Sequence, residues 1–223
     1  MEESINLKFS KKEAIRFGWE MAKRKILFFL LLLILVWGAP FVLEFLFRLS
    51  AVLLVAITGK KFLIFSLILV FLGALARVVL SSIFDLGLMK ISLKFCDNEE
   101  PKFSDLISQY KLFFRYLLAS ILYALIVFSG FILLIVPGII LLIRLGFYGY
   151  LIVDKNLRIV ESLEKSWEIT KGSTWNLFLL SILLGLIKLL GFFALIVGLF
   201  WSIPTTRLAR AFVYRKLSSG LKV

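Results

Sequence analysis

The sequence predicts an all-α integral membrane protein, a polytopic bundle of transmembrane helices. Hydrophobic residues make up 61% of the 223-residue chain and charged residues only 18%, and the mean hydropathy is +1.00. A water-soluble fold needs more polar side chains to cover its core, whereas lipid tails accept an apolar exterior. Long apolar runs also alternate with short basic segments, which is the pattern of a chain that crosses a bilayer several times.

Apolar runs of about 20 residues, the length that crosses a bilayer as a helix, give the positions of the spans. The run over 112–153 is too long for one crossing, and we expect Pro137 and Gly138 to break it, because proline cannot continue a helix. The last run, over 175–214, lacks a Pro-Gly break but is interrupted by Lys188 and Gly191, and it predicts either two spans or one long span with an interfacial helix. The six-span interpretation is one membrane domain over 1–223, with spans at about 26–47, 62–84, 114–136, 138–153, 175–190 and 191–213.

The distribution of basic residues favours six spans over five. Lys and Arg concentrate in the cytoplasmic segments of membrane proteins. With the N-terminus inside, six spans put most of the 27 Lys and Arg residues on the inner side. Five spans, the alternative, instead put the basic C-terminal tail outside. We therefore predict that both termini lie in the cytoplasm.

Three segments predict amphipathic helices on the cytoplasmic membrane surface, at about 10–24, 103–113 and 157–171. The first starts with Ser10 and Glu13, the spacing of a capping box. In the other two, apolar residues recur at helical spacing. Each segment precedes two spans, so the chain consists of three helix–span–span units. Trp19 and Trp167 occupy matching places in the first and third segments, and we predict that both are interfacial anchors.

The composition argues against an enzyme and against a metal or cofactor site. The chain has no His and a single Cys, Cys96, so the commonest general base and the commonest metal ligand are missing. The acids show no metal-ligand spacing and no phosphate-binding glycine loop is present. We expect no catalytic residue, no metal and no cofactor. The net charge of +13 suggests the anionic inner leaflet as the partner rather than nucleic acid.

Arginines near or within the even-numbered spans are the candidate functional residues. Arg77, Arg144 and Arg207 are predicted to bind a lipid phosphate or another anion, because a charge in a span is costly and is often functional. The alternative is that these side chains snorkel to headgroups or pair with carbonyl groups. Two acids have structural interpretations: Glu44 neutralises Lys188 or Arg48, and Asp85 is a boundary residue or a partner for an arginine.

Several motifs in the middle of the chain resemble a known family. They are Leu134–Ile140 with its Pro-Gly pair, Arg144, Leu151–Asp154, Glu161–Trp167 and Thr170–Gly172. Together they resemble a widespread prokaryotic group of six-span membrane proteins, which includes the membrane domain fused to some bacterial glycerophosphodiester phosphodiesterases. The resemblance implies the fold and a location in the cytoplasmic membrane. It does not imply the phosphodiesterase activity, because the family's hydrolase domain uses His and this chain has none.

The leading hypothesis for function is therefore a non-enzymatic membrane protein, an accessory or scaffold protein that interacts with lipids. Its partners would be membrane lipids, chiefly those of the anionic inner leaflet, with protein partners or a homo-oligomer left open. The alternative is a small transporter or channel for an anionic or amphiphilic solute, with Arg77 and Arg144 along the path. Pro40 and Pro204 favour the alternative only weakly, as sites where helices are broken.

Overall fold

A computed structural model describes residues 9–194 and 197–219, and all regular structure in these residues is helical. The all-α prediction is thereby confirmed. Two of the connections between helices are single turns of 3₁₀ helix, Gly59–Phe62 and Tyr110–Leu112. In chain order the helices are α1 Lys11–Arg24, α2 Ile26–Thr58, α3 Leu63–Cys96, α4 Asp105–Ser108, α5 Phe113–Leu133, α6 Ile135–Arg144, α7 Tyr148–Lys155, α8 Ile159–Ile169, α9 Thr174–Phe193 and α10 Val197–Ser218.

Five helical segments among the described residues are long and apolar enough to cross a membrane. They are Ile26–Thr58, Leu63–Cys96, Asp105–Leu133, Ile135–Lys155 and Thr174–Phe193. The segment that contains α10 does not qualify, since Arg207 and Arg210 interrupt its apolar residues. Instead α10 is deeply buried within the protein, where Leu208, Ala211 and Tyr214 have no exposed surface.

Helices α2 and α3 form a hairpin that is longer than the others. They have 33 and 34 residues, which corresponds to about 50 Å each at 1.5 Å per residue. The two other helices that begin a hairpin, α5 and α9, have 21 and 20 residues. Towards the turn, α2 and α3 pack chiefly on each other, and Ile57 and Ile64 there are 82% and 77% exposed.

The second hairpin turns at Leu134, three residues earlier than the sequence predicted. Leu134 is extended, with φ −164° and ψ 154°, and Pro137 lies within the first turn of α6. A proline ring inside a continuous helix would clash with the carbonyl group four residues earlier, which belongs to Leu133. The helix therefore ends before that clash, and the missing N–H of Pro137 costs no hydrogen bond in a first helical turn.

Three other predicted boundaries also differ in the structure. The predicted helix over 103–113 is divided into α4 and a 3₁₀ turn before α5 begins. The predicted fourth span is divided into α6 and α7 by a turn at residues 145–147. The predicted break at Gly191 lies within α9, which continues to Phe193.

Ion pairs and hydrogen bonds join many of the helix ends at one end of the bundle, called here the polar end. Arg215, near the end of α10, contacts Asp97 at 2.6 Å and Asp154 at 2.8 Å, and so joins the ends of α3, α7 and α10. Lys25 contacts Glu100 at 3.4 Å, which places the start of α2 at the same end. Asp154 accepts hydrogen bonds from both Tyr214 and Arg215.

Helix α1 packs along α10 through a row of small residues. Ser10 caps α1, since its side chain accepts a hydrogen bond from the amide of Glu13. Ala14, Gly18 and Ala22 recur every four residues on the buried side of the helix. A Cβ atom on Gly18 would lie 2.3 Å from the carbonyl oxygen of Thr205, so the two backbones approach as closely as they do only because this residue is glycine.

We predict that Gly18→Ala lowers the stability of the protein by roughly 1–3 kcal/mol, because the added methyl group has to displace backbone. Gly185→Ala is the matched control, since Gly185 lies in α9 with nothing within 4 Å of its would-be Cβ atom. The control should be neutral or slightly stabilising, because alanine favours helix more than glycine does. Thermal unfolding in detergent measures both, and equal shifts for the two variants would contradict this account.

Candidate functional site

Two of the three predicted arginines line the same cavity, although they are 130 positions apart in the sequence. The cavity has a volume of about 690 Å³ and lies between α2, α3 and α10. Its polar wall consists of Arg77, Ser81, Asp85 and Arg207, and we call it the arginine cavity. Its apolar wall belongs to α2 and contains Val36, Trp37, Gly38, Pro40 and Phe41.

Arg207 reaches this cavity from α10 and forms an ion pair across to α3. Its Nη2 atom donates to Oδ1 of Asp85 at 2.8 Å. Asp85 is therefore the partner of an arginine, one of the two roles predicted for it. The pair is about one-third exposed at each side chain, so it is accessible from the cavity rather than sealed in the core.

Arg77 reaches the cavity from α3 and is joined to α2 by Glu44. One oxygen of Glu44 accepts from Arg77 and the other accepts from Arg48 at 2.5 Å. Glu44 is itself buried, and two arginines around one carboxylate leave one positive charge over. The predicted pairing of Glu44 with Arg48 is present, and Arg77 is a second partner that the sequence reasoning did not propose.

Both guanidinium groups have N–H donors to spare. Among the described residues, Arg77 and Arg207 each use a single Nη atom for their ion pair, whereas a guanidinium carries five N–H donors in a planar fork. Arg48, Arg77 and Arg207 together outnumber Glu44 and Asp85 by one charge. The cavity therefore combines a net positive charge with unused donors, which suits a phosphate or carboxylate group.

The apolar wall of the arginine cavity is open to the surroundings of the protein. Trp37 and Phe41 are 60% and 61% exposed, and both belong to a helix apolar enough to cross a membrane. Pro40 lies inside α2 and has no N–H, so the carbonyl group of Val36 lacks its usual helical donor. A ligand with a charged group and an apolar chain matches both walls.

Arg144 lies outside this cavity and has a different environment. Its guanidinium carbon is 3.4 Å from the ring centroid of Trp167, and its Nη2 atom donates to the carbonyl oxygen of Trp167 at 3.0 Å. The backbone carbonyl of Arg144 accepts hydrogen bonds from Ser166 of α8 and from Thr170, the residue after α8. These contacts connect α8 to the turn after α6, so the structure gives Arg144 a connecting role and does not bring it to Arg77 and Arg207.

The two predicted interfacial tryptophans have unlike contacts. Trp19 packs against Trp201 of α10, with ring centroids 5.4 Å apart, whereas Trp167 lies under Arg144. The sequence similarity around them therefore does not extend to equivalent packing. Their role as anchors at a membrane surface stays a prediction.

A second polar cavity, which the sequence did not predict, lies near the arginine cavity. It has a volume of about 270 Å³ and is lined by Arg210 together with four tyrosines, Tyr116, Tyr123, Tyr148 and Tyr150. Tyr150 donates to the backbone carbonyl oxygen of Arg207 at 3.4 Å, so the two cavities approach each other at Arg207. Tyr116 and Tyr123 are seven positions apart, the spacing that puts both on one face of α5, and that spacing was the available signal.

No family model matches this chain, and no curated protein and no solved structure matches it. The resemblance to the six-span prokaryotic family consequently stays a prediction.

Proposed function

We propose that the protein is a non-enzymatic membrane protein that binds an anionic lipid in the arginine cavity. The observation that carries this proposal is the pairing of Arg77 and Arg207 in one cavity whose other wall is exposed and apolar. The phosphate of the lipid lies between the two guanidinium groups, and an acyl chain lies along Trp37 and Phe41. Because each arginine already has a carboxylate partner, the binding site stays folded when it is empty.

Native mass spectrometry of the purified protein tests this proposal. Wild-type protein should retain an anionic phospholipid, and Arg77→Gln should retain about tenfold less, since a charge-assisted hydrogen bond contributes roughly 1.5 kcal/mol or more. The double variant Asp85→Asn/Arg207→Gln should show a similar loss without leaving an unpaired charge. Arg144→Gln is the matched control, because Arg144 lies outside the cavity.

Equal lipid retention in all four proteins would contradict the proposal. It would assign Arg77 and Arg207 to structure alone and direct the search to protein partners of the polar end, consistent with a scaffold. Loss in the Arg144 variant alone would point to a lipid site beside Trp167 instead.

A second candidate function is transport of an anionic or amphiphilic solute. The observation that favours it is that two polar cavities, one with Arg77 and the other with Arg210, approach each other beside the Asp85–Arg207 pair. Opening of that pair would join the cavities along α10. Pro40 in α2 and Pro204 in α10 are points where these helices can bend.

Flux of inorganic phosphate from proteoliposomes distinguishes transport from binding alone. Transport predicts release well above that of protein-free liposomes, with a changed rate in Asp85→Asn/Arg207→Gln, because that pair lies where the two cavities approach each other. Binding alone predicts release equal to that of the protein-free liposomes for both proteins. Arg144→Gln is again the control for a general effect of removing an arginine.

We also propose that the chain crosses the cytoplasmic membrane of a prokaryote six times, with its polar end in the cytoplasm. The five apolar segments supply five crossings, and α10 supplies the sixth, with Asp85 of α3 pairing with its Arg207. Support comes from Arg215, which lies with Asp97 and Asp154 at the polar end, and from the basic residues of that end. Helices α1, α4 and α8 then lie at the inner surface, one before each hairpin.

Labelling of single cysteines with a membrane-impermeant maleimide tests this topology. In a Cys96→Ser background, Lys61→Cys at the turn between α2 and α3 should react in intact spheroplasts. Ser219→Cys after α10 should react only after permeabilisation. Reaction of both positions in intact cells would instead support five crossings, with the C-terminus outside.

A further inference from the structure

A large groove between α1, α9 and α10 has no role in the function proposed above. Its volume is about 1060 Å³, and its residues differ from those of the arginine cavity apart from their shared use of α10. The side chains along it are apolar for most of its length. They include Ile15, Trp19, Leu183, Ile187, Leu190 and Trp201.

The groove exists because α1 packs closely on α10 but not on α9. The row of Ala14, Gly18 and Ala22 holds α1 against α10. The neighbouring face of α1, with Ile15 and Trp19, is left facing α9 across the groove. Trp19 of α1 packs against Trp201 of α10, and both residues line the groove.

Basic side chains lie along the groove in the first half of α1. Lys11, Lys12 and Arg16 all line it. Lys11 donates to Asn176 at 3.4 Å, and Arg16 pairs with Glu20 at 2.7 Å, a hydrogen bond that raises the pKa of Arg16. Within the part of the chain that the structure describes, Lys12 has no ion-pair partner.

We propose that this groove binds an anionic phospholipid from the bilayer, with an acyl chain along α9 and the phosphate on Lys11 and Lys12. The positive charges of Lys11 and Lys12 favour an anionic group, and the apolar side chains of the groove favour a hydrocarbon chain. Leu190 and Phe193 of α9 are 67% and 72% exposed, so the groove is continuous with a surface that faces lipid in any membrane-spanning arrangement of α9. An acyl chain can therefore enter sideways from the bilayer without crossing water.

The phospholipid is favoured over a peptide or a second copy of the chain. A peptide would bring backbone N–H and C=O groups that need partners, and the side chains that wall the groove supply almost none. A second copy would have to insert an apolar segment against three basic residues of α1. An acyl chain has no polar groups to satisfy, so the apolar walls of the groove can replace its lipid neighbours without leaving a polar group unpaired.

Quenching of tryptophan fluorescence by brominated acyl chains gives a direct readout at this groove. The reporter variant carries Trp37→Phe, Trp167→Phe and Trp175→Phe, so that only Trp19 and Trp201 emit. It is reconstituted in phosphatidylcholine nanodiscs with a small fraction of brominated phosphatidylglycerol or, for comparison, the same fraction of brominated phosphatidylcholine. Bromine quenches on contact, and we expect at least twice the quenching from the anionic lipid.

Charge variants of α1 show whether Lys11 and Lys12 cause the preference for the anionic lipid. Lys11→Gln/Lys12→Gln in the reporter should reduce the excess quenching by the anionic lipid by half or more. Lys23→Gln/Arg24→Gln removes two charges from the same helix outside the groove, and it should keep the full excess. Equal quenching by the two lipids in the reporter, or equal effects of the two double variants, would overturn the proposal.

A groove-filling variant tests the acyl chain separately from the charges. Ile187→Phe narrows the groove between α9 and α1, and it should lower quenching by the anionic lipid while Lys11 and Lys12 remain. Its thermal unfolding midpoint shows whether the fold is retained; if it is retained and quenching is unchanged, the acyl chain does not lie there. A second reporter that keeps only Trp37 reads the arginine cavity, so loss of one lipid site is distinguished from loss of the other.

Discussion

An ionised side chain among apolar helices has to find its partner within the protein, because lipid offers none. In this structure that requirement determines which helices lie together. Glu44 joins α2 to α3 through Arg77, and Asp85 joins α3 to α10 through Arg207. Arg215 then joins the end of α10 to the ends of α3 and α7. Helix α3 takes part in all three links, so the ion pairs connect the long hairpin to the rest of the bundle.

The same pairing explains why α10 is a core helix despite its arginines. Its apolar residues, such as Leu208 and Val213, are fully buried, while Arg207 and Arg215 reach carboxylates on α3. Small residues of α1 cover another of its faces. Each neighbour contributes a different kind of contact, and the removal of any one would expose either an unpaired charge or an apolar surface. The two polar cavities lie where these neighbours leave space beside the arginines.

The sequence predicted what depends on composition and local spacing. Apolar runs identified the helices of all three hairpins. The predicted cap at Ser10 and the predicted start of α1 agree with the structure to within one residue. The sequence predicted the turn at Pro137, three residues after its actual position at Leu134. Proline occurs both in loops and in the first turn of a helix, so its position alone does not distinguish the two. Asp85 and Arg207 are 122 positions apart, and no periodicity in one sequence relates residues that far apart. Arg144 was grouped with Arg77 and Arg207 because all three are charges in apolar runs, whereas their neighbours in space differ.

The unequal lengths of the hairpins have a consequence for the surrounding bilayer. A helix of about 50 Å, such as α2, exceeds a hydrocarbon layer of roughly 30 Å, and a tilt of about 40° reduces its projected length only to roughly 38 Å. The helices α5 and α9, at about 30 Å, match the same layer without tilt. One side of the protein therefore fits a thick membrane and the other a thin one. A bilayer that matches α5 and α9 therefore leaves the turn between α2 and α3, where Ile57 and Ile64 are exposed, beyond its hydrocarbon layer.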